Sequence, residues 1–370
     1  MSSPKILTGI DVPAGTPGGS IALFTDLYLA PDAPIQADAF MLAGPVDGAL
    51  SRNLTLLDVS GRAEGRGAYS AYVDRLVQAV RAALTGTAPE LLHLHHLAFG
   101  ASPALIEAFP EVPAIAFIHG TDLLVAQADA DQRDVLTRMA DHASAIIAPT
   151  EAMASRLCRL VPHLAPDKIH HVGWGLPGRL LDAPPERWPV GRRLPHLLYA
   201  GRLTPEKGFD QFAAVCASLG LPLSVAAPTE QWHQARYRLG HVTETVDYLG
   251  WFRRDELWSE FTRHDVLAVP SVELEAFCLT AVEAQAAGLP VVYRPVDGLS
   301  DVLGDSAMPV DLYDPAALAK AAYLLRSEAL RDELRERGRT NAGRFRLSAT
   351  AAAITALGRR VVAAPPAGAR

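Results

Sequence analysis

Twice along this 370-residue chain, short apolar runs alternate with longer amphipathic ones, and a proline-rich break separates the two series. Residues 177–195 hold five prolines in nineteen positions. Each proline fixes φ and removes a backbone donor, so the stretch predicts a linker rather than an element. Strands that alternate with helices build a parallel sheet covered on both faces. The expected fold class is therefore α/β, with two doubly wound, Rossmann-like domains. The predicted division is an N-terminal domain over 1–180, a linker over 181–195, a C-terminal domain over 196–345, and over 346–370 a last helix, packing back on the N-terminal domain, with a tail. Ligands bind outside the carboxyl ends of such strands. The expected site is thus the cleft between the domains, with closure about the linker.

In the first series the pattern predicts strands over 5–10, 39–42, 54–58, 90–95, 112–118 and 145–148. Helices are expected over 18–29, 68–84, 101–109, 131–142 and 151–160. The second of these places Tyr72, Leu76, Val80 and Leu84 four apart on one face. In the second series, strands are expected over 196–200, 223–226, 245–249, 266–269 and 291–293. Helices are expected over 206–219, 254–263, from about 279, then over 315–326, 328–339 and 348–361, before a frayed tail.

Composition narrows the function classes. A hydrophobic content of 49% supports two large cores, and a net charge of −7 argues against a nucleic-acid partner. Three cysteines, Cys158, Cys216 and Cys278, form neither a metal pattern nor a disulfide framework, which suits a reducing compartment. The N-terminal residues lack a signal-peptide core, and no apolar run is long enough to span a bilayer. A cytoplasmic protein without membrane association is expected. Oligomeric state is not legible.

The chemistry concentrates in the second series. Glu275 and Glu283 flank a small apolar run that reads as a turn entering a helix near Leu279, stopped by Gly288-Leu-Pro290. The first amides of such a helix lack partners, and its dipole makes that end an anion site. One acid beside that site and one deeper suit a ligand with hydroxyls on both sides of a phosphate, such as a nucleotide sugar. The same spacing fits an amphipathic helix bearing two solvated acids. Gly201-Arg-Leu-Thr-Pro-Glu-Lys-Gly208 follows the first strand of this series. Arg202 and Lys207 suit a diphosphate, one as a fork and one as a point charge. The stretch also reads as a helix start, with Thr204 as N-cap and Pro205 at the first position; such a helix would position Lys207.

These blocks, with Pro270-Ser-Val-Glu-Leu-Glu275-Ala-Phe277-Cys278-Leu279-Thr280-Ala-Val-Glu283-Ala and the Gly-Leu-Pro-Val-Val that follows, resemble the retaining GT-B glycosyltransferases of glycosyltransferase family 4. The resemblance covers nearly the whole chain in layout and is sharpest in the second half. It implies that Arg202 and Lys207 hold the donor diphosphate, and that Glu275 contacts the donor-sugar hydroxyls. Amides around Phe277, Cys278, Leu279 and Thr280 would receive sugar and phosphates, Glu283 the ribose hydroxyls, and Trp251 and Phe252 would lie near the base. In the first half, Gly18 and Gly19 match the family's glycine pair, which lets backbone approach a phosphate or acceptor. His119, in His-Gly-Thr-Asp122, matches a histidine placed beside the donor sugar. The implied catalytic set is His119, Arg202, Lys207 and Glu275, with no metal and no cofactor.

The chain departs from the family pattern at three places. Cys278 replaces the usual glycine after the phenylalanine. Trp174-Gly-Leu-Pro177 replaces the usual Asn-Gly-Val-Asp, and Asp297-Gly-Leu-Ser-Asp301 replaces Gly-Gly-x-x-Glu. These touch sugar and acceptor specificity.

Three other patterns carry less. Gly173-Trp-Gly-Leu-Pro-Gly178 has dinucleotide-motif spacing but stands at the linker, not in a strand-to-helix turn. His93-Leu-His95-His96 lacks nearby Cys, Asp or Glu, so a cleft wall at the strand end is expected rather than a metal site. Asp129, Asp131 and Asp134 lack the glycine and terminal glutamate of a calcium loop and read as a helix start.

The expected activity is retaining, metal-independent transfer of a hexose or amino-hexose. The donor would be a nucleoside-diphosphate sugar, UDP favoured, and the acceptor a small-molecule hydroxyl, as in natural-product biosynthesis. The alternatives are a nucleotide-sugar epimerase of the same layout and a non-catalytic sugar-nucleotide or partner-binding protein. The acceptor pocket is expected from loops 11–17 and 61–67.

Overall fold

The computed structural model describes residues 4–45, 51–60, 66–84, 86, 88–186 and 194–364. Residues 61–65 of the predicted acceptor loop, 187–193 of the predicted linker and 365–370 of the predicted tail lie outside them. The chain divides into two compact units. One comprises Met1–Thr16, Ser20–Gly173 and Leu347–Arg370, the other Pro17–Gly19 and Trp174–Arg346.

The first unit is built on a parallel sheet of β1 (Ile6–Pro13), β2 (Ala37–Leu42), β3 (Leu54–Leu57), β4 (Leu91–His95), β5 (Ala114–Phe117), β6 (Ala145–Ala148) and β7 (Ile169–His171). The spatial order is β3-β2-β1-β4-β5-β6-β7. Order reverses between β1 and β4, and such a switch point opens a crevice at the carboxyl ends of the strands. Register places Thr8 beside His93 and His95 beside Phe117. β4, β5 and β6 are buried throughout, as continuous apolar runs in covered parallel sheets are. The helix Leu347–Ala363 packs on β5 within this unit, and Gly358 makes the close approach: a Cβ there would lie 2.9 Å from the Leu91 side chain.

The second unit contains β8 (Leu197–Ala200), β9 (Leu223–Ala226), β10 (Val246–Gly250), β11 (Val266–Val269), β12 (Val291–Tyr293) and β13 (Met308–Pro309), in the order β10-β9-β8-β11-β12-β13. Its switch point falls between β8 and β11. The helix Phe209–Leu219 buries Phe209, Phe212, Ala213 and Cys216 against a core with Tyr199, Val225 and Trp232. Each large apolar side chain so buried contributes about 2 kcal/mol before entropy is counted.

The structure corrects several sequence expectations. The helix expected over 18–29 becomes Gly19–Phe24 followed by a π-turn over Thr25–Leu29, closed by the Ala30 amide on the Thr25 carbonyl (2.8 Å). Strand β1 runs to Pro13, so the loop expected from 11 starts later. The predicted linker begins with an element, the helix Gly178–Asp182: Leu180 is buried and Asp182 pairs with Arg346 at 2.8 Å. Pro177 stands just ahead of that helix, where its missing N–H disrupts no helical bond. The helices Thr121–Ala128, Thr229–Leu239 and Leu299–Leu303 and the short strands β7 and β13 had no sequence expectation. Two of these helices follow glycines at positive φ, Gly120 (86°) and Gly298 (84°), whose entry conformation carries no apolar period.

Candidate functional site

The turn after β8 is held from below. The Tyr199 hydroxyl donates to the Arg202 carbonyl, and the Leu203 amide donates to Gln231 Oε1 at 2.7 Å. Pro205–Lys207 then form a separate 3-10 turn, and the following helix starts only at Phe209. The expected continuous helix capped by Thr204 is therefore corrected. Thr204 Oγ1 bonds Glu206 Oε1 at 2.7 Å instead of an amide, and Gly208, at φ +68°, breaks the run. A Cβ on Gly208 would lie 1.8 Å from the Tyr313 hydroxyl and 2.3 Å from the Pro270 carbonyl oxygen. The glycine thus lets the β8 turn nest against the segment after β11.

That nesting brings Lys207 to Glu275. Lys207 Nζ lies 2.8 and 2.6 Å from the two carboxylate oxygens, and Ser271 Oγ donates to Glu275 Oε2 at 2.9 Å. Burial pulls the Lys207 ammonium down, but the Glu275 charge and hydrogen bond together with Cys278 outweigh it, so the net shift is upward and the group stays cationic. The Glu275 backbone is fixed too. Its amide donates to the Asp297 carbonyl at 3.0 Å, and a Cβ on Gly298 would lie 1.9 Å from the Glu275 carbonyl oxygen. Arg202 sits on the same turn with its guanidinium toward Glu206 at 3.7 Å.

Cys278 stands ahead of the helix Leu279–Ala286 at φ 59°, ψ 70°, a left-handed conformation that suits glycine. Burial and the Glu275 carboxylate push its thiol up to about 12. Phe277 is buried edge-on against Phe345, with centroids 4.9 Å apart. Leu279 and Thr280 open the helix, so their amides face its mouth. Glu283, one turn in, is buried and accepts from Arg254 Nε at 2.5 Å. Trp251 is exposed and Phe252 half-buried on the loop after β10.

Gly18 precedes and Gly19 opens the helix Gly19–Phe24, and both glycines group with the second unit; a Cβ on Gly19 would meet nothing within 4 Å. In the first unit, His119 follows β5. Its Nε2 lies 3.0 Å from His95 Nδ1, His95 Nε2 lies 3.0 Å from the Tyr28 hydroxyl, and that hydroxyl lies 2.9 Å from His93 Nδ1. The cleft wall expected from His93, His95 and His96 is corrected: all three are buried inside the unit. The period-2 pattern points His93 and His95 to one face, but a covered parallel sheet buries both faces. Burial holds His93 at about 3, and burial with the adjacent imidazoles holds His95 and His119 well below the usual range, so all three are neutral. Asp122 accepts from the amides of Leu97 (3.0 Å), His119 (3.2 Å) and Leu123 (3.1 Å), and burial still raises it to about 6. Asp129 caps the helix Ala130–His142 through the amides of Asp131 and Gln132.

The structure brings Lys207, Glu275 and Cys278 together in the second unit and gives Glu283 a separate partner. Sequence reasoning missed Ser271, Arg254, Gly298 and Tyr28. Of these, Gly298 carries a readable signal, in Asp297-Gly298, which by sequence alone reads as a departure in specificity.

The Lys207–Glu275 pair and the helix mouth stand at the switch point of a doubly wound unit, and two such units make up the GT-B glycosyltransferase fold. Residues 186–341 match the family of glycosyl transferases group 1, and residues 52–176 match glycosyltransferase family 4. The chain is 31% identical over 303 residues to D-inositol 3-phosphate glycosyltransferase 2 of Catenulispora acidiphila, covering 71% of this chain and 69% of that one. It is 29% identical over 281 residues to the glycogen synthase of Mycobacterium tuberculosis, covering 70% of this chain but 64% of the synthase. The chain belongs to the group 1, family 4 glycosyltransferases. Its fold is similar to that of a sucrose-phosphate synthase from Thermosynechococcus elongatus (TM-score 0.79, 20% identity, 98% of this chain and 100% of that one). It is also similar to Anabaena HepE in complex with UDP and glucose (TM-score 0.73, 18% identity, 96% and 100%).

Proposed function

We propose that the chain transfers a hexose or amino-hexose, with retention of anomeric configuration, from a UDP-sugar to a hydroxyl of a small-molecule acceptor. The observation that carries this is the Lys207–Glu275 pair at the β8/β11 switch point, beside the mouth of the helix Leu279–Ala286. A leaving nucleoside diphosphate gains negative charge as its bond to the sugar breaks, and Lys207, Arg202 and the helix amides are the groups that stabilise it. In that role they take the place of a metal, so no metal or other cofactor is proposed. Glu275 is assigned to the sugar hydroxyls, Glu283 to the ribose, and Trp251 and Phe252 to the base. His119 is assigned to a hydrogen bond with a sugar hydroxyl. No covalent nucleophile is proposed; the leaving phosphate helps deprotonate the acceptor, and rate comes from positioning and charge. HepE, of similar fold, is described with UDP and glucose, which supports the uridine donor. Relatives named for inositol phosphate support a small polyol acceptor. The three unpatterned cysteines support a cytoplasmic setting.

Thermal melts of the purified chain against nucleoside diphosphates and their sugars, with and without EDTA, test this. UDP and a UDP-sugar at about 100 times Kd stabilise by about 2.7 kcal/mol, unchanged by EDTA. No shift with any nucleotide overturns the reading, and a shift abolished by EDTA overturns its metal-free part.

A further inference from the structure

The first unit holds a continuous chain of polar rings: His119, His95, the Tyr28 hydroxyl and His93, joined at 3.0, 3.0 and 2.9 Å. The rings are clamped in place. His95 stacks on Phe117 with centroids 4.5 Å apart and meets Phe24 edge-on, and His93 lies between Tyr28 and Phe117. All three imidazoles are neutral, so each carries one N–H, and the phenol adds one O–H. The three links take one proton each and the chain holds four, so the fourth must sit on a terminal atom: His93 Nε2 or His119 Nδ1. Among the described residues, His93 Nε2 is buried with no hydrogen-bond partner. A proton there would be an unmade buried donor, which costs more than a bare lone pair. The fourth proton therefore goes to the other end, on the partly exposed His119.

We propose that His95, backed by the buried Tyr28–His93 chain, is a positioning residue that holds His119 as its Nδ1–H tautomer, and so as a hydrogen-bond donor rather than a base. In the assigned sequence, His93 Nδ1–H donates to Tyr28, Tyr28 O–H to His95 Nε2, and His95 Nδ1–H to His119 Nε2. The contact of that donor with a sugar hydroxyl rests on the function proposed above; the tautomer does not. A donor binds an oxygen lone pair and leaves the sugar hydroxyl its own proton.

Long-range proton–nitrogen correlation spectra of the full chain labelled with ¹⁵N-histidine read the tautomer directly. The His119 signals are assigned by their loss in H119Q. In the wild-type chain the Nδ1–H form is expected to exceed Nε2–H about ten-fold, as an unmade buried donor implies. Tyr28→Phe is expected to keep the Nδ1–H form, because buried His95 Nε2 then becomes the end where a proton would be an unmade donor. His95→Phe, which keeps the ring volume and deletes the link to His119 Nε2, is expected to abolish the preference. An Nε2–H form of His119 in the wild-type chain overturns the proposal, as does an unchanged ratio in folded His95→Phe. The wild-type spectrum decides even where a variant fails to fold. An Nδ1–H spectrum in a chain that no nucleotide stabilises upholds the relay and refutes the glycosyl-transfer reading separately.

Discussion

Lys207 and Glu275, 68 residues apart in the chain, share two contacts of 2.8 and 2.6 Å, because the loops after β8 and β11 leave adjacent strands at the point where strand order reverses. Each is assigned to a different part of the donor, the diphosphate and the sugar. On the proposed assignment, the pair keeps both side chains beside the donor, and a bound diphosphate would compete with Glu275 for the ammonium.

Lys207→Ala is expected to lower kcat by about 10²–10³-fold, the scale of losing one preorganised charge partner. It also leaves the Glu275 carboxylate with Ser271 alone, at a cost of about 1–3 kcal/mol. Arg202→Ala, which breaks the partly exposed 3.7 Å contact with Glu206, is expected to lower turnover with almost no change in Tm. Steady-state kinetics alongside melts check both, and full activity in both variants refutes the diphosphate assignment.

Cys278→Gly removes a side chain from a left-handed backbone position. A stabilisation of about 1 kcal/mol is expected, read as a rise in urea midpoint without a change in slope. The wild-type Cys278 thiol, at about 12, is expected to resist alkylation at pH 8 in the native chain. Rapid native labelling at Cys278 would contradict that.

Gly208→Ala forces a methyl group against Tyr313 and the Pro270 carbonyl, so the two loops must part. A loss of about 2–4 kcal/mol is expected, with turnover falling further than in Arg202→Ala because Lys207 moves with its turn. A folded, fully active variant would show that the nesting does not set the position of Lys207.

Glu283→Ala is expected to weaken UDP binding about 10–100-fold by calorimetry, since a charged hydrogen-bond partner contributes about 1.5–3 kcal/mol. It also leaves Arg254 without its buried carboxylate. Arg254→Ala is expected to weaken UDP binding less, by disordering Glu283 alone. Equal UDP affinity in wild type and Glu283→Ala would remove this residue from the donor site.

Stability is expected to fall on acidification. Folded His93 titrates at about 3 and His95 and His119 well below the usual value, whereas unfolded imidazoles take up protons near 6.5. Below about 6.5 the unfolded state thus binds more protons, and each histidine removes up to about 1.4 kcal/mol per pH unit. Asp122 acts oppositely: at about 6 it takes its proton first in the folded chain and adds stability as pH falls toward its unfolded value. Three histidines outweigh one aspartate. Urea midpoints are expected to drop between pH 7 and 5, less steeply in His93→Phe, and a flat or rising midpoint would contradict the buried neutral cluster.

Two α/β units, the Gly201–Gly208 turn and the entry to the helix at Leu279 were legible in the sequence, because periodicity, glycine and proline act within a few residues of where they stand. The break at Gly208 was not, since Thr204-Pro205-Glu206 carries the local chemistry of a helix start; what ends it is the left-handed turn at Gly208 that packs against Tyr313 and Pro270, distant in the chain. Likewise Glu283 could be read as a helix acid, but its partner Arg254 comes from another helix. The His93–Tyr28 and His95–His119 links span 65 and 24 residues. By itself the sequence determined which segments become strands, helices and turns. Tertiary structure alone decided which acid meets which cation and which ring meets which hydroxyl, because strand order and register, not local pattern, bring distant loops to one sheet edge.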